Sequence, residues 1–404
     1  MVRNETGDRK SALKYGTISI RTGADRVAGY GLKRNPDQPM PCGRGLEIKE
    51  RHASSRRFLS LLVSTAFVLL CVSAKANDST LRSPWDLRTV SPTDAAYTCR
   101  EVPALPRDFA ASSYYTDSHY SVIDPVLKKR YEDSVSPIET VSRVVVAAAD
   151  AYQAKGSLDA ARCVSTLLEN AAKQEALAGK MDGPQAFYVR NWNLGSWAVS
   201  YLKIRKSGLV SDEQSHEILK WLKKLAEDTR GYFEQQRQSG AGDAANNHLY
   251  WAGFTVSAAA IANNDQELFR WGLAAYRQGI HQIQKDGTLP KEMSRGQMAL
   301  HYHLYALVPL LMLAEFGETN GFDLYAERGY AIKRLVARST TGLQDASYFQ
   351  QKTGVAQVTT QVGASWELGW VRLYERRFPN PNLSALIAQT SLRSCPSLGG
   401  LPPP

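Results

Sequence analysis

From about Val126 onward the chain is a succession of apolar segments with helical spacing, and this succession limits the possible folds most strongly. Apolar residues recur at i, i+3 and i+4, which is the spacing of one helix face, and no segment alternates as a strand would. The pattern predicts helices over 141–153, 157–178, 188–204, a segment capped by Ser211-Asp212, 247–262, 266–282, 297–316, 321–337 and 363–376.

Turn-forming residues such as Asn263-Asn264-Asp265 separate these segments, so the helices recur every ~25–30 residues. Consecutive helices joined by short turns pack as antiparallel hairpins. A closed arrangement of such hairpins is an α/α toroid, whereas an open array is a solenoid. Because no close internal repeat is visible, we predict an all-α toroid whose helix ends surround a central groove. Such a groove suits a linear polymer.

The N-terminal residues carry most of the net charge and the features of an export signal. Of the formal charge of +10, residues 1–76 contribute 14 basic and 6 acidic side chains, which leaves the remainder near neutral. This distribution argues against a nucleic-acid partner. Arg56-Arg57 precede the apolar run 58–72, and Ala74-Lys75-Ala76 follows it. We therefore expect cleavage near Ala76, a periplasmic or secreted bacterial protein, and no membrane span in the mature chain.

Four regions follow from these patterns. Residues 1–76 are the extension with its signal, 77–125 an irregular arm or lid rich in Tyr, Ser, Asp and Pro, 126–380 the toroid, and 381–404 a Pro/Gly-rich tail. The tail contains Cys395, for which we expect no functional role. The cysteine and histidine spacing predicts no metal site, and we expect a monomer.

Two runs of polar residues interrupt the apolar helical segments of the sequence, and we expect both runs to line the groove. The first is Asn246-Asn247-His248-Leu249-Tyr250-Trp251. The second extends from Leu289-Pro290-Lys291-Glu292-Met293-Ser294-Arg295 to Leu300-His301-Tyr302-His303. Burying Asn, His, Arg and Tyr is costly unless each finds a partner or a ligand. His301 and His303 invite a metal interpretation, but positions i and i+2 on a helix point apart.

These motifs resemble the mannuronate-directed alginate lyases of polysaccharide lyase family five. The resemblance extends from about Cys99 to Tyr374 and includes Cys99 followed by Glu101-Val102-Pro103, Val141-Ser142-Arg143, Arg190-x-Trp192-x-Leu194-Gly195 and Ser365-Trp366. It implies an incomplete α/α toroid, a Cys99–Cys163 disulfide, an anionic uronate polysaccharide as partner, and β-elimination without metal or cofactor. An exported protein meets the oxidising conditions that such a disulfide needs.

The resemblance also implies roles for individual residues. Asn247 and Arg295, with His248 nearby, would neutralise the uronate carboxylate, and Tyr302 would remove the C5 proton and protonate the departing O4. Four further side chains are candidate sugar contacts: Gln185, Arg190, Trp192 and Tyr250. The chemistry is coherent, because a proton next to a carboxylate becomes removable only when that charge is neutralised. We expect Arg295 and His248 to lower the pKa of Tyr302 below its usual value of about 10.

Three questions stay open at this point. Tyr114 occupies the place of an arm lysine in the alginate-acting members, which leaves polyglucuronate as an alternative substrate. Fold does not dictate function, so a glycoside hydrolase is a second hypothesis, and it would need two opposed carboxylates. Asp243 and Glu292 are the candidate pair. A non-catalytic polyuronate-binding protein is the third.

Overall fold

The computed structural model describes residues 80–359, 367–389 and 395–403. The predicted extension and signal of residues 1–76, and the Ser365-Trp366 pair, lie outside the described residues. Twelve helices are present in the described part of the chain: α1 (Pro125–Lys155), α2 (Leu158–Lys173), α3 (Pro184–Ile204), α4 (Asp212–Gln238), α5 (Asn247–Asn263), α6 (Gln266–Gln282), α7 (Pro290–Met293), α8 (Ala299–Thr319), α9 (Glu327–Gln344), α10 (Ser347–Thr353), α11 (Val371–Arg377) and α12 (Pro381–Gln389).

The long helices form two layers of an α/α toroid, as the sequence predicted. In the inner layer α3 packs between α1 and α5, and α5 packs against α8. In the outer layer α2 packs against α4, and α6 packs against α9. Each inner helix is followed in the chain by its outer partner, which gives the pairs α1–α2, α3–α4, α5–α6 and α8–α9. The short α7 lies between α6 and α8. Helices α3, α5 and α8 are buried on nearly every side, whereas the outer helices bury one face only.

Local sequence signals set where these helices begin and end. Ser157 caps α2 by accepting a hydrogen bond from the Ala160 amide, as its position before the apolar run predicted. Ser211 forms a reciprocal capping box with Gln214 at the start of α4. Asn264 adopts the left-handed conformation that ends α5, directly before the Asp265 cap of α6. The predicted boundaries of α6 are therefore correct.

Helix α8 accounts for the most apolar stretch of the described chain. By length and composition, the segment Gly296–Thr319 could cross a membrane, but 94% of its apolar window is buried inside the protein. Helices α5, α6, α9 and α11 pack around α8. Its apolar character is therefore explained by its position in the core.

A disulfide and a short strand pair are among the contacts that tie the arm before α1 to the toroid. Cys99 and Cys163 form a disulfide, which confirms the predicted pairing and joins the arm to α2. The arm also contributes strand β1 (Phe109–Ala110), which pairs in parallel with β2 (Met181–Asp182) just before α3. The sequence showed no strand pattern here, because two residues are too few for any alternation to be visible.

The described part of the C-terminal tail is folded against the inner helices. A short 3₁₀ turn, Pro396–Leu398, packs against α1, α3 and α8. The buried ammonium of Lys203 donates to Gly399 O at 2.6 Å and to Asp150 Oδ1 at 2.5 Å. The Leu401 amide donates to the same Asp150 carboxylate at 3.0 Å. The tail thus closes the centre of the toroid, which its Pro/Gly-rich composition did not indicate.

Candidate active site

A cavity of about 550 Å³ opens between the arm and the inner helices. Its wall combines the first halves of α1 and α3, the N-terminus of α5, the first two turns of α8, and Pro396 and Ser397 of the tail. The residues that matter for its chemistry are Tyr114, Tyr115, Tyr120, Tyr131, Gln185, Tyr188, Trp192, Asp243, His248, Arg295, His301 and Tyr302. The two polar runs therefore meet in one cavity, as predicted.

The first polar run places His248 at the N-terminus of α5. The Asn246 side chain caps this helix by accepting from the His248 amide at 2.9 Å. The imidazole lies flat on the Tyr188 ring, with 3.9 Å between the centroids and 13° between the planes. Burial, which Asp243 opposes and Arg295 reinforces, lowers the pKa of His248 to about 4. At pH 7 the ring is therefore neutral and can accept a proton.

Tyr188 links His248 to a carboxylate. Its hydroxyl donates to Asp243, which lies in the 3₁₀ turn before α5. Burial and this carboxylate raise the pKa of Tyr188 far above its usual value, so the hydroxyl stays protonated. Tyr188 was not among the site residues predicted from the sequence.

Asn247 is fixed by two hydrogen bonds that it donates to the Glu292 carboxylate. Both residues have no exposed surface. The Asn247 backbone amide donates to Glu292 Oε1 at 2.9 Å, and Nδ2 donates to Oε2 at 2.8 Å. Asn247 does not line the cavity in this arrangement, although the adjacent His248 does. Glu292 is also absent from the cavity wall, so it does not oppose Asp243 across the groove as the hydrolase hypothesis required.

The second polar run brings Arg295 onto the face of Tyr302. The guanidinium carbon lies 4.4 Å from the Tyr302 ring centroid and 5.1 Å from that of Tyr120. Arg295 Nε is 3.9 Å from Glu292 Oε2. A buried cation with aromatic faces on two sides is suited to receive a carboxylate from the cavity.

The Tyr302 hydroxyl points to the arm, where it donates to the Tyr115 hydroxyl at 3.0 Å. Burial raises the pKa of Tyr302 to about 12, although Arg295 and Tyr115 both lower it. The expectation of a pKa below 10 was therefore wrong. It allowed for the nearby cation but not for the larger cost of ionising a phenol away from water.

The arm is docked directly on the segment that carries Arg295. His119 Nδ1 lies 3.0 Å from Ser294 O, and Gln297 Nε2 donates to Ser121 O at 2.8 Å. Tyr114 stacks against Tyr115 and against Tyr131 of α1, with centroid distances of 4.7 and 5.1 Å. Residues 113–123 therefore form a cover over the cavity that contributes three of its tyrosines.

Two of the four predicted sugar contacts reach the cavity. Gln185 and Trp192 line it together with Tyr188, at the helical spacing i, i+3 and i+7 of α3. Arg190 lies on another face of α3, where its guanidinium is 3.6 Å from Asp228 and 5.1 Å from the Phe187 centroid. The helical spacing of α3 places Tyr188 on the same face as Gln185 and Trp192, and Arg190 on another face. This spacing could have identified Tyr188 as a cavity residue from the sequence and excluded Arg190.

Tyr250 is fully buried in α5 and donates to Gln282 at 2.6 Å. It does not line the cavity, so its predicted sugar contact, like that of Arg190, is not supported. Tyr250 sits two residues after His248, which on a helix turns it toward the outer layer.

The two histidines beside Tyr302 have different neighbours. His301 contacts Glu367 and lines the cavity. His303 accepts from the Leu289 amide at 2.9 Å and donates from Nδ1 to Ala299 O at 2.7 Å. This hydrogen bond from the Leu289 amide to His303 fixes the start of the segment that carries Glu292 and Arg295. Within the residues that the structure describes, no group of three His, Cys, Asp or Glu side chains could hold a metal ion.

Comparisons with known proteins agree with this geometry. A family model described as alginate lyase matches residues 108–349. A polysaccharide lyase from Stenotrophomonas maltophilia (strain K279a) is 39% identical over 306 residues, which cover 75% of this chain and 88% of that protein. An alginate lyase from Pseudomonas syringae pv. syringae (strain B728a) is 32% identical over 288 residues, covering 70% and 75%.

Solved structures share the fold. The crystal structure of alginate lyase A1-III from Sphingomonas species A1 superposes with a TM-score of 0.64 at 25% identity, covering 77% of this chain and 87% of that chain. A histidine-to-alanine variant of A1-III complexed with a tetrasaccharide superposes with a TM-score of 0.63 at 25% identity, covering 79% and 88%.

Proposed function

Because the chain belongs to the alginate lyase family, we propose that it is a polysaccharide lyase that cleaves the β-1,4 linkages of alginate at mannuronate units. The reaction is a β-elimination, and its products carry an unsaturated 4-deoxy uronate at the new non-reducing end. The observation that carries the proposal is the placement of Arg295, Tyr302 and His248 in one cavity.

Arg295 supplies the charge that the reaction needs. Removing the C5 proton places negative charge on the neighbouring carboxylate, and a buried guanidinium offsets that charge where water is excluded. Its Nε is already 3.9 Å from the Glu292 carboxylate, so its position is set before any substrate arrives. Such preorganisation avoids a reorganisation cost during the reaction.

Tyr302 acts on the reacting face of the sugar. In a β-D-mannuronate unit the C5 hydrogen and the C4 oxygen lie on the same face of the ring, so one group on that face can serve as base and then as acid. Forming the Tyr302 phenolate beforehand at pH 7 would cost roughly 7 kcal/mol, at about 1.4 kcal/mol per pH unit below a pKa of about 12. The phenol is therefore at rest in its acid form.

Tyr302 must therefore lose its phenolic proton before it can remove the C5 proton, and in the proposal this proton passes to solvent when the substrate binds. Arg295, whose guanidinium carbon is 4.4 Å from the Tyr302 ring centroid, and the Tyr115 hydroxyl, 3.0 Å from the Tyr302 oxygen, stabilise the phenolate. The phenolate takes the C5 proton and the resulting phenol delivers it to the departing O4. The net proton transfer is from C5 to O4, and the phenolate regains a proton from solvent on product release.

His248 provides a base for the other epimer. In an α-L-guluronate unit the C5 proton lies on the opposite face of the ring. The neutral imidazole of His248, held against Tyr188, is the candidate to remove it. The same cavity therefore supports slower cleavage at guluronate.

Polyglucuronate is the alternative substrate, because it differs from polymannuronate only at C2. The feature that favours it is Tyr114, which lines the cavity where alginate-acting members place a lysine. Lys128 and Arg143 also line the cavity on its α1 side, together with Glu139, which pairs with Arg143. Export to the periplasm or medium after cleavage near Ala76, and action as a monomer, are part of the proposal.

Ultraviolet absorbance of the unsaturated product tests the proposal. The purified protein is incubated with polymannuronate, polyguluronate and polyglucuronate, with and without chelator. We expect chelator-insensitive absorbance, fastest on polymannuronate. Tyr302→Phe should abolish activity on polymannuronate with unchanged circular dichroism. His248→Ala should also abolish it, because the imidazole lines the same cavity as Arg295 and helps to bind the uronate carboxylate. Tyr348→Phe, outside the cavity, should retain activity. New reducing ends without absorbance would indicate hydrolysis and refute the proposal.

A further inference from the structure

Glu292 is a fully buried carboxylate between Asn247 and Arg295, the two residues that the family resemblance assigns to binding the uronate carboxylate. It accepts two hydrogen bonds from Asn247 and lies 3.9 Å from Arg295 Nε. It does not reach the cavity. Its effect on catalysis must therefore act through Asn247 and Arg295.

The other end of the Asn247 amide is unsatisfied. Its Oδ1 is buried and has no hydrogen-bond partner among the described residues. A buried acceptor left without a partner costs about 1–3 kcal/mol. At rest the amide offers no N–H to a uronate carboxylate, because Nδ2 is engaged by Glu292 and the side chain has no exposed surface. Turning the amide by 180° would direct Nδ2 away from Glu292.

The charges disfavour an ionised Glu292 in the substrate complex. A uronate carboxylate bound by Arg295 would be a second anion beside the same largely buried guanidinium. One cation cannot offset two buried anions, and an uncompensated buried charge costs several kcal/mol. A proton on Glu292 removes this imbalance.

We propose that Glu292 is protonated when a uronate occupies the cavity and donates a hydrogen bond to Asn247 Oδ1, so that the amide, which is buried at rest, turns and offers Nδ2 to the substrate carboxylate. Glu292 Oε1 continues to accept from the Asn247 backbone amide. The proton comes from solvent on binding and returns to it on product release. Glu292 is thus a positioning residue, and the inference rests on the proposed lyase function.

The surroundings of Glu292 favour this protonation. Burial raises the pKa of Glu292, while Arg295, Asn247 and His301 oppose the rise. Tyr250 and Tyr302 also face it, and neither carries charge at neutral pH. An apolar site can keep a carboxylic acid neutral at pH 7 so that it acts as a donor.

Glu292→Gln is the first test, because a glutamine mimics the protonated acid. Its Nε2 donates to Asn247 Oδ1 and its Oε1 accepts the backbone amide. We expect at least one tenth of the wild-type kcat on polymannuronate, whereas Glu292→Ala should lose more than 100-fold. A Glu292→Gln activity below one tenth, with an unchanged melting temperature, would overturn the inference.

Difference infrared spectroscopy is the second test and does not depend on turnover. A mannuronate tetrasaccharide is added to Tyr302→Phe, and we expect a carboxylic-acid carbonyl band in the complex. The band should disappear in Tyr302→Phe/Glu292→Gln but persist in Tyr302→Phe/Glu315→Gln, which alters a buried glutamate paired with Arg377. Absence of the band would refute the inference. Inactivity of the wild type on every uronan would instead refute the proposed function.

Discussion

Arg295 and Tyr302 form a cation–π pair, with the guanidinium carbon 4.4 Å from the ring centroid. The group proposed to neutralise the substrate carboxylate therefore also sets the orientation of the phenol proposed to move the proton. Displacing either side chain should affect both steps, so their contributions to catalysis should not be additive.

Arg295→Lys should lower kcat on polymannuronate by roughly 10²–10³-fold, the usual effect of removing one preorganised stabilising group. Lysine keeps the charge but loses the planar fork and its stacking on Tyr302. Steady-state kinetics by ultraviolet absorbance measures this. Arg338→Lys is the matched control, because Arg338 lies 3.5 Å from the Tyr348 centroid, outside the cavity. Equal losses in the two variants would contradict the proposed role.

Acid should destabilise the fold partly through His303. Burial lowers the pKa of His303 from 6.5 to about 4, so its contribution is fully present above pH 6.5 and is lost as the pH falls toward 4. This shift of the pKa corresponds to a loss of roughly 3 kcal/mol in the free energy of unfolding between pH 6.5 and 4. We expect His303→Gln to flatten the loss of unfolding free energy between pH 7 and 4.5, measured with urea.

Two comparisons make this prediction specific. His248 has a similarly lowered pKa, so part of the pH dependence should remain in His303→Gln. His216 is exposed on α4, and His216→Gln should leave the slope of the unfolding free energy against pH unchanged. A slope in His303→Gln that equals the wild-type slope would show that the imidazole titrates normally.

Tyr114→Lys should strengthen the capture of polymannuronate at low salt. Tyr114 is the arm residue that lines the cavity next to Tyr115, and a lysine there would add a cation facing a polyanion. We expect KM to fall by several-fold at low ionic strength and the gain to shrink at high salt. Tyr114→Phe separates the charge from the loss of the hydroxyl. A KM gain that does not depend on salt would point to a steric cause.

Trp192 and Arg190, two residues apart on α3, should have opposite phenotypes. Trp192→Ala should raise KM by about tenfold, because a ring in the cavity wall is lost. Arg190→Met should leave KM within about twofold but lower the melting temperature, because the buried guanidinium loses its ion pair with Asp228 and its contact with the Phe187 ring. Kinetics and thermal unfolding of both variants test this pair. A KM effect of Arg190→Met with unchanged stability would restore its predicted role in sugar binding.

The sequence alone was sufficient for the helical content, the order of hairpins and the two polar runs. These depend on short-range signals: apolar spacing of 3.6 residues, capping residues such as Ser157 and Ser211, and turn residues such as Asn264. The Cys99–Cys163 pairing followed from family resemblance rather than from local pattern.

Only the tertiary structure decided which polar side chains share the cavity and in which ionisation state. Tyr115 approaches Tyr302 from 187 residues away, and Glu292 reaches Asn247 from 45 residues away. The pKa of Tyr302 is set by how completely the arm and α8 exclude water, and no local pattern encodes that. Residue type therefore predicted the chemistry that is available, while burial and long-range contacts determined which groups are held, oriented and charged.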